Sequence, residues 1–81
     1  MHYVYILTDS TNNIYIGLTD DLERRLKEHR AGKTRTTKSM DVVNLHYYEA
    51  YTSRHAAIER EKNLKCYGSA YMGLLKRIRL K

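Results

Sequence analysis

The 81-residue chain contains no proline, no phenylalanine and no tryptophan, and its one cysteine is Cys66. A single cysteine excludes an internal disulfide and a cysteine-rich zinc module. Long hydrophobic runs are also missing. Met1-His2-Tyr3 leads straight into Val4-Tyr5-Ile6-Leu7 with no basic stretch before it. That excludes a secretory leader and a membrane span, and sets the expectation of a reducing, cytoplasmic setting. The length leaves room for one domain, expected to cover residues 1–81. With phenylalanine and tryptophan missing, the aromatic content is eight tyrosines. A core built from tyrosine must find partners for several hydroxyls or leave them facing a wet cleft.

Acid is scarce, and unevenly so. Fifteen Lys and Arg against nine Asp and Glu give a net charge of +6. From Lys62 to Lys81 there are six basic residues and no acid, and from Arg30 to Lys38 four more, again with no acid. The first 28 residues are closer to balance. A segregated basic surface is the usual footprint of a nucleic-acid binder, and a charge kept for solubility is the plainer reading.

Tyr3 to Leu7 is a run of strand formers, Thr8 to Asn13 a turn by composition, and Ile14 to Leu18 a second strand. Asp20-Asp21-Leu22-Glu23 has the pattern of a capping box, with Asp20 as N-cap and Glu23 reaching back. It predicts a helix from about Asp21 to Ala31, stopped by Gly32. Gly32 to Asp41 reads as an exposed polar loop and Val42 to Tyr51 as a third strand. Thr52 or Ser53 can cap a helix from Arg54 to Lys65. Ser69 can cap a third, in which Tyr71, Leu74, Leu75 and Ile78 form an amphipathic stripe. The order β-β-α-β-α-α predicts an α+β fold: a small three-stranded antiparallel sheet flanked by helices.

Helical geometry then singles out polar residues on apolar faces. In the first helix Arg25 and His29 flank Leu22 and Leu26. Arg25 either snorkels to solvent or needs acceptors at the edge of the packed face. His29 is either a boundary histidine or a catalyst. In the second helix Glu61 lies inside the stripe of Ala57 and Leu64, while Glu59 and Lys62 face outward. A carboxylate there must pair with an inward arginine or line a cleft and hold a cation. One carboxylate suits Mg²⁺, which keeps several waters and binds through few protein ligands plus substrate phosphate. Tyr5 and Tyr15 can share one face of the hairpin, as core rings or as something more. Gly17, late in its strand, marks a bulge or a close backbone approach.

These residues, in this order, resemble the GIY-YIG nuclease domain: Val4-Tyr5-Ile6, then Tyr15-Ile16-Gly17, then Asp21-Leu22-Glu23-Arg24-Arg25-Leu26-Lys27-Glu28-His29, then Glu59-Arg60-Glu61-Lys62-Asn63-Leu64-Lys65. The likeness spans about Tyr3 to Ile78 and is strongest to the small stand-alone bacterial members. It implies a metal-dependent endonuclease, using Mg²⁺ or Mn²⁺, that hydrolyses phosphodiester bonds in DNA. Branched or damaged DNA and a part in DNA repair are within its scope, and RNA is left open. Tyr5 and Tyr15 match the tyrosines of the two motifs, Arg25 the catalytic arginine and Glu61 the single metal-binding glutamate. His29 matches a histidine one turn after the arginine, and Gly17 closes the second motif. Lys65, one turn on from Glu61, and Asn63 on the same helix are looser candidates for phosphate contact, and Thr19, Arg35 and Lys38 read equally as backbone-phosphate contacts or as a solvated loop.

The chain departs from the pattern where Tyr3 replaces the first glycine and where Cys66-Tyr67-Gly68-Ser69-Ala70-Tyr71 replaces a Ser/Gly-rich segment. Within 81 residues there is no place for the separate DNA-binding domain of homing and repair relatives. The chemistry suits the residue types. Glu61 would hold the metal and Arg25 would clamp a phosphate oxygen bidentately. Tyr5 would serve as base or proton relay, with Tyr15 orienting it. Two other classes compete: a nucleic-acid-binding module without turnover, and a nuclease subunit that depends on a protein partner for specificity or activation. Oligomeric state is not legible.

Overall fold

The computed structural model describes residues 1–32 and 43–80. Strands β1 (His2–Thr8) and β2 (Ile14–Thr19) form a hairpin. Its turn is held by the Asp9 carboxylate, which accepts from the Thr11 and Asn13 backbone N–H groups and from both side chains. Helix α1 (Leu22–Arg30) follows, then β3 (Asn44–Tyr51), α2 (Arg54–Lys65) and α3 (Ser69–Arg77). The sheet is antiparallel in the order β2-β1-β3, so β1 is central and β2 is an edge. This is the expected α+β fold.

Alternation along β1 sorts its side chains to two faces. Val4 and Ile6, with Ile16 of β2, pack against Ala57 and Leu64 of α2 and Leu74 of α3. Tyr5 and Leu7 face the other way, with Val43, Tyr15, Leu22, Leu26 and Leu45 packed against them. The predicted stripe of α3 is seen in the burial of Leu74 and Leu75 and in the packing of Tyr71 and Ile78 beside the core.

Two caps differ from expectation. The N-cap of α1 is Asp21, whose side chain accepts the Arg24 N–H at 3.1 Å, rather than Asp20. The Thr19 hydroxyl explains the shift: it accepts the Asp21 N–H and donates to the Asp21 carbonyl, which fixes the start one residue later. The N-cap of α3 is Gly68 rather than Ser69, with no side-chain bond. The Tyr67 N–H still bonds back to the Leu64 carbonyl of α2, and the Gly68 carbonyl already accepts the Met72 N–H of α3. One residue is left to turn the chain. Ser53 caps α2 as foreseen, accepting the Ala56 N–H, and Gly32 follows α1 at φ +71°, the left-handed stop that glycine makes at little steric cost.

Candidate active site

Tyr5 lies at the centre of the α1 side of the sheet. It is 1% exposed, and its partner across the hairpin is Gly17. A Cβ on Gly17 would overlap the Tyr5 ring and hydroxyl. The close approach read from the sequence is therefore a ring laid over a residue with no side chain. From α1, His29 reaches down to the same point. Its Nε2 is 2.9 Å from the Tyr5 hydroxyl, and it too is 1% exposed. The Tyr15 ring lies 5.0 Å from the His29 ring and 6.1 Å from that of Tyr5. Tyr5, Tyr15 and His29 thus form one cluster, in which Tyr15 is the member partly open to solvent.

Arg25, one turn before His29, lies at the edge of this cluster. Its Nη1 donates to Glu28 Oε1 at 3.1 Å, and its side chain remains 35% exposed. The remaining guanidinium donors are available to the Tyr5 hydroxyl and to a ligand. Burial pushes the Tyr5 hydroxyl up to about 12, against the opposing pull of the Arg25 guanidinium beside it. Burial, and then the charge of Arg25, hold the His29 imidazole below its ordinary value, against the weaker effect of Glu28. At neutral pH the tyrosine therefore carries its proton and the imidazole is uncharged, an arrangement suited to a hydrogen bond from Tyr5 Oη to His29 Nε2.

Arg25 also lines an open cleft of about 600 Å³ with His2, Leu18, Thr19, Asp20, Arg24, Glu28 and Arg54. Thr19 is in this cleft, although its hydroxyl is engaged with Asp21. Across β2 lies a smaller depression of about 360 Å³ lined by Ile14, Tyr15, Ile16, Lys65 and Tyr67. Tyr15 therefore belongs to both sides of the edge strand, and through Lys65 this depression leads to Glu61. The Glu61 carboxylate is 3.3 Å from Lys65 Nζ, its side chain 19% exposed. Glu61 thus pairs with a lysine one turn on rather than with an inward arginine, and the neighbouring Arg60 is held by Glu49 of β3. Arg60 Nε and Nη2 donate to the two Glu49 carboxylate oxygens at 2.9 and 3.0 Å.

Asn63 is exposed on α2. Arg35 and Lys38 lie outside the described residues. The structure thus gathers Tyr5, Tyr15, Gly17, Arg25 and His29 under α1 and places Glu61 and Lys65 on α2 beside the same edge strand. Among the described residues no three acidic, histidine or cysteine side chains are grouped to cage a metal. A partly exposed carboxylate whose partner is a half-exposed lysine suits a hard divalent cation that keeps most of its waters.

Sequence reasoning missed the cluster around Glu49. Besides Arg60, the carboxylate accepts from the Tyr47 and Tyr51 hydroxyls. From Tyr47 on, past the register shift against β1, alternation in β3 places Tyr47, Glu49 and Tyr51 on one face, and that period was the signal available.

Comparison with known families decides what this constellation belongs to. The model of the GIY-YIG catalytic domain matches residues 1–73. The chain belongs to the GIY-YIG family. GIY-YIG relatives include a UPF0213 protein of Haloquadratum walsbyi, 42% identical over 67 residues, covering 82% of this chain and 75% of that one. A UPF0213 protein of Staphylococcus haemolyticus is 39% identical, covering 82% of each chain. The solution NMR structure of a UPF0213 protein from Bacillus halodurans aligns with a TM-score of 0.59 at 31% identity, over 95% of this chain and 83% of that one. The expected likeness to small GIY-YIG proteins is therefore seen, and the domain is of a nuclease family. No helix among the described residues is long and apolar enough to cross a membrane.

Proposed function

We propose that this GIY-YIG domain is a metal-dependent endonuclease that hydrolyses phosphodiester bonds in DNA. The observation that carries the reading is that the Tyr5, Tyr15 and His29 cluster, with Arg25 at its edge, borders the same edge strand as the Glu61–Lys65 pair, Tyr15 and Lys65 lining one depression. Hydrolysis needs a deprotonated water in line with the leaving oxygen, and donors where charge develops on the phosphate. Tyr15 stands at the solvent end of the path, Tyr5 in the middle and neutral His29 at the inner end. As the water proton enters this path, the Tyr5 proton passes to His29 Nε2. The hydroxide left behind bonds to phosphorus as the bond to the leaving oxygen breaks in line, that oxygen taking a proton from solvent, and both tyrosines stay neutral. No phenolate need persist, which suits a Tyr5 hydroxyl pushed up to about 12.

Arg25 exchanges part of its contact with Glu28 for a non-bridging phosphate oxygen, offering two parallel donors that lysine lacks. Glu61 would hold Mg²⁺ or Mn²⁺ against the scissile phosphate, with Lys65 released to a neighbouring phosphate. The bound metal supplies Lewis-acid stabilisation of the developing charge. Thr19, in the cleft beside Arg25, and the exposed Asn63 of α2 are further candidates for phosphate contact.

The test is turnover on a panel of flap, splayed-arm, four-way and single-stranded DNAs, with RNA counterparts, with and without Mg²⁺. Mg²⁺-dependent cleavage of one or more forms is expected. Salt-sensitive binding that ignores Mg²⁺ and yields no product would replace the nuclease by a binding module.

A further inference from the structure

The residue that ends α2 is a tyrosine in a conformation that disfavours it. Tyr67 has φ +56°, the left-handed region where a helix stop usually carries glycine, while the glycine of this junction comes one position later at Gly68. Its side chain is not hidden to compensate: Tyr67 is 63% exposed, among the most open large side chains of the described residues. It is nevertheless held in place. The Tyr71 ring, partly buried beside the core, meets it edge-on at 4.9 Å and 88°. This leaves Tyr67 as a braced aromatic surface in the depression it shares with Tyr15 and Lys65.

We infer that Tyr67 is a stacking platform for an unpaired nucleobase beside the scissile phosphate. This rests on the nuclease reading above and deepens it, since it favours a strand that is single or locally unpaired at the cut. The setting argues for nucleic acid. Lys65 lines the same depression, half-exposed beside its partner Glu61, Lys62 lies one turn back on α2, and the chain from Lys62 onward carries no acid. A cationic track beside an exposed ring is how proteins hold single strands, the charge following phosphates and the ring taking a base of any identity. Residue 67 lies where the sequence departs from the family's Ser/Gly-rich pattern, so the platform would be a property of this chain.

Tyr67→Gly separates this role from a packing role, because glycine relieves the backbone at φ > 0 while removing the ring. The probe is a labelled single-stranded oligodeoxynucleotide with one abasic site stepped along its length, bound with metal chelated. The parent should show one position at which loss of the base weakens binding about tenfold, the scale of one stacked base. In Tyr67→Gly that dependence should vanish, with overall affinity down by a similar factor and a melting temperature no lower than the parent's. Tyr67→Phe should keep the parent profile. An unchanged abasic profile in Tyr67→Gly would overturn the proposal and leave Tyr67 as a helix stop alone. If the parent cleaves DNA but its abasic profile is flat, the platform falls and the nuclease stands. If the parent neither binds nor cleaves any nucleic acid, both fall.

Discussion

On the side of the sheet facing α2 and α3, the buried side chains are Val4, Ile6, Ile16, Ala57, Leu64 and Leu74, and none of them can form a side-chain hydrogen bond. On the side facing α1, the same central strand contributes Tyr5, and the helix above it contributes buried His29. At the centre of the sheet one face is filled by shape, its polar cluster of Glu49, Arg60 and two tyrosines kept to the β3 margin; the other has its polar cluster at the centre, on Tyr5. Helix-forming segments of 9 and 12 residues cover them, so the difference lies in the side chains rather than in the architecture. Its lesson is where chemistry can be placed in a domain this small: one layer supplies the burial, and the other holds polar groups in fixed register. Two carboxylates repeat the contrast. Glu49 is tied to an arginine and two hydroxyls between β3 and α2, whereas Glu61 has a single lysine at the edge.

The sharpest break of that contrast is at Glu61. Glu61→Gln should lower cleavage by at least about 10²-fold, the scale of losing one main electrostatic stabiliser, with DNA binding kept and the melting temperature nearly unchanged. Retained activity in steady-state cleavage would make Glu61 a second structural carboxylate.

Arg25→Lys comes next. It keeps the charge and the stem, so thermal unfolding should move by less than about 1 kcal/mol, while single-turnover cleavage falls about 10²-fold for want of paired donors. A variant that melts several degrees lower yet cleaves at the parent rate would make Arg25 a packing residue.

Gly17→Ala tests the fit beneath Tyr5. The added methyl must displace the ring and its bond to His29, and denaturant unfolding should show a loss of about 1–3 kcal/mol. No loss would mean that Tyr5 has room to move.

Glu49→Gln should destabilise by about 2 kcal/mol, the scale of hydrogen bonds to a charged group, and flatten the acid side of the stability profile. Burial raises the Glu49 proton affinity, but bonds from Arg60 and the two tyrosines outweigh it, so its value in the fold is lowered from 4.5. Because the folded value is the lower one, this stabilisation is complete above about pH 4.5 and is lost as pH falls through the folded value. Parent and variant stabilities should therefore converge in acid, as chemical denaturation across that range would show.

Much of this was legible in the sequence for identifiable reasons. The bounds of α2 followed from Ser53 and the 3.6-residue period. Gly17 stood out as a small residue late in a strand, and only the register of the hairpin shows that the Tyr5 ring is what approaches it. Arg25 and His29 stood out because helical spacing put them beside Leu22 and Leu26. The cap of α1 was misplaced by one because two aspartates adjoin and a threonine hydroxyl, not helix propensity, chooses between them. For Glu61 the sequence left an inward arginine or a cation open. The fold gives it Lys65 of its own helix, while Arg60 is claimed by Glu49, a residue that neighbours α2 only after β3 has joined the sheet.

The lack of phenylalanine has one more consequence. Every aromatic ring in this protein carries a proton that base can remove, so the interior has an alkaline limit that a phenylalanine core would not impose. Burial pushes both Tyr5 and Tyr47 up to about 12 from 10.0. An unfolded chain gives up those protons earlier than the folded one, so the contribution is intact below about pH 10 and is lost as pH climbs toward 12. The share of phenolate absorbance that comes from Tyr5 and Tyr47 should rise in step with the loss of helix content, because these hydroxyls reach water only when the sheet comes apart.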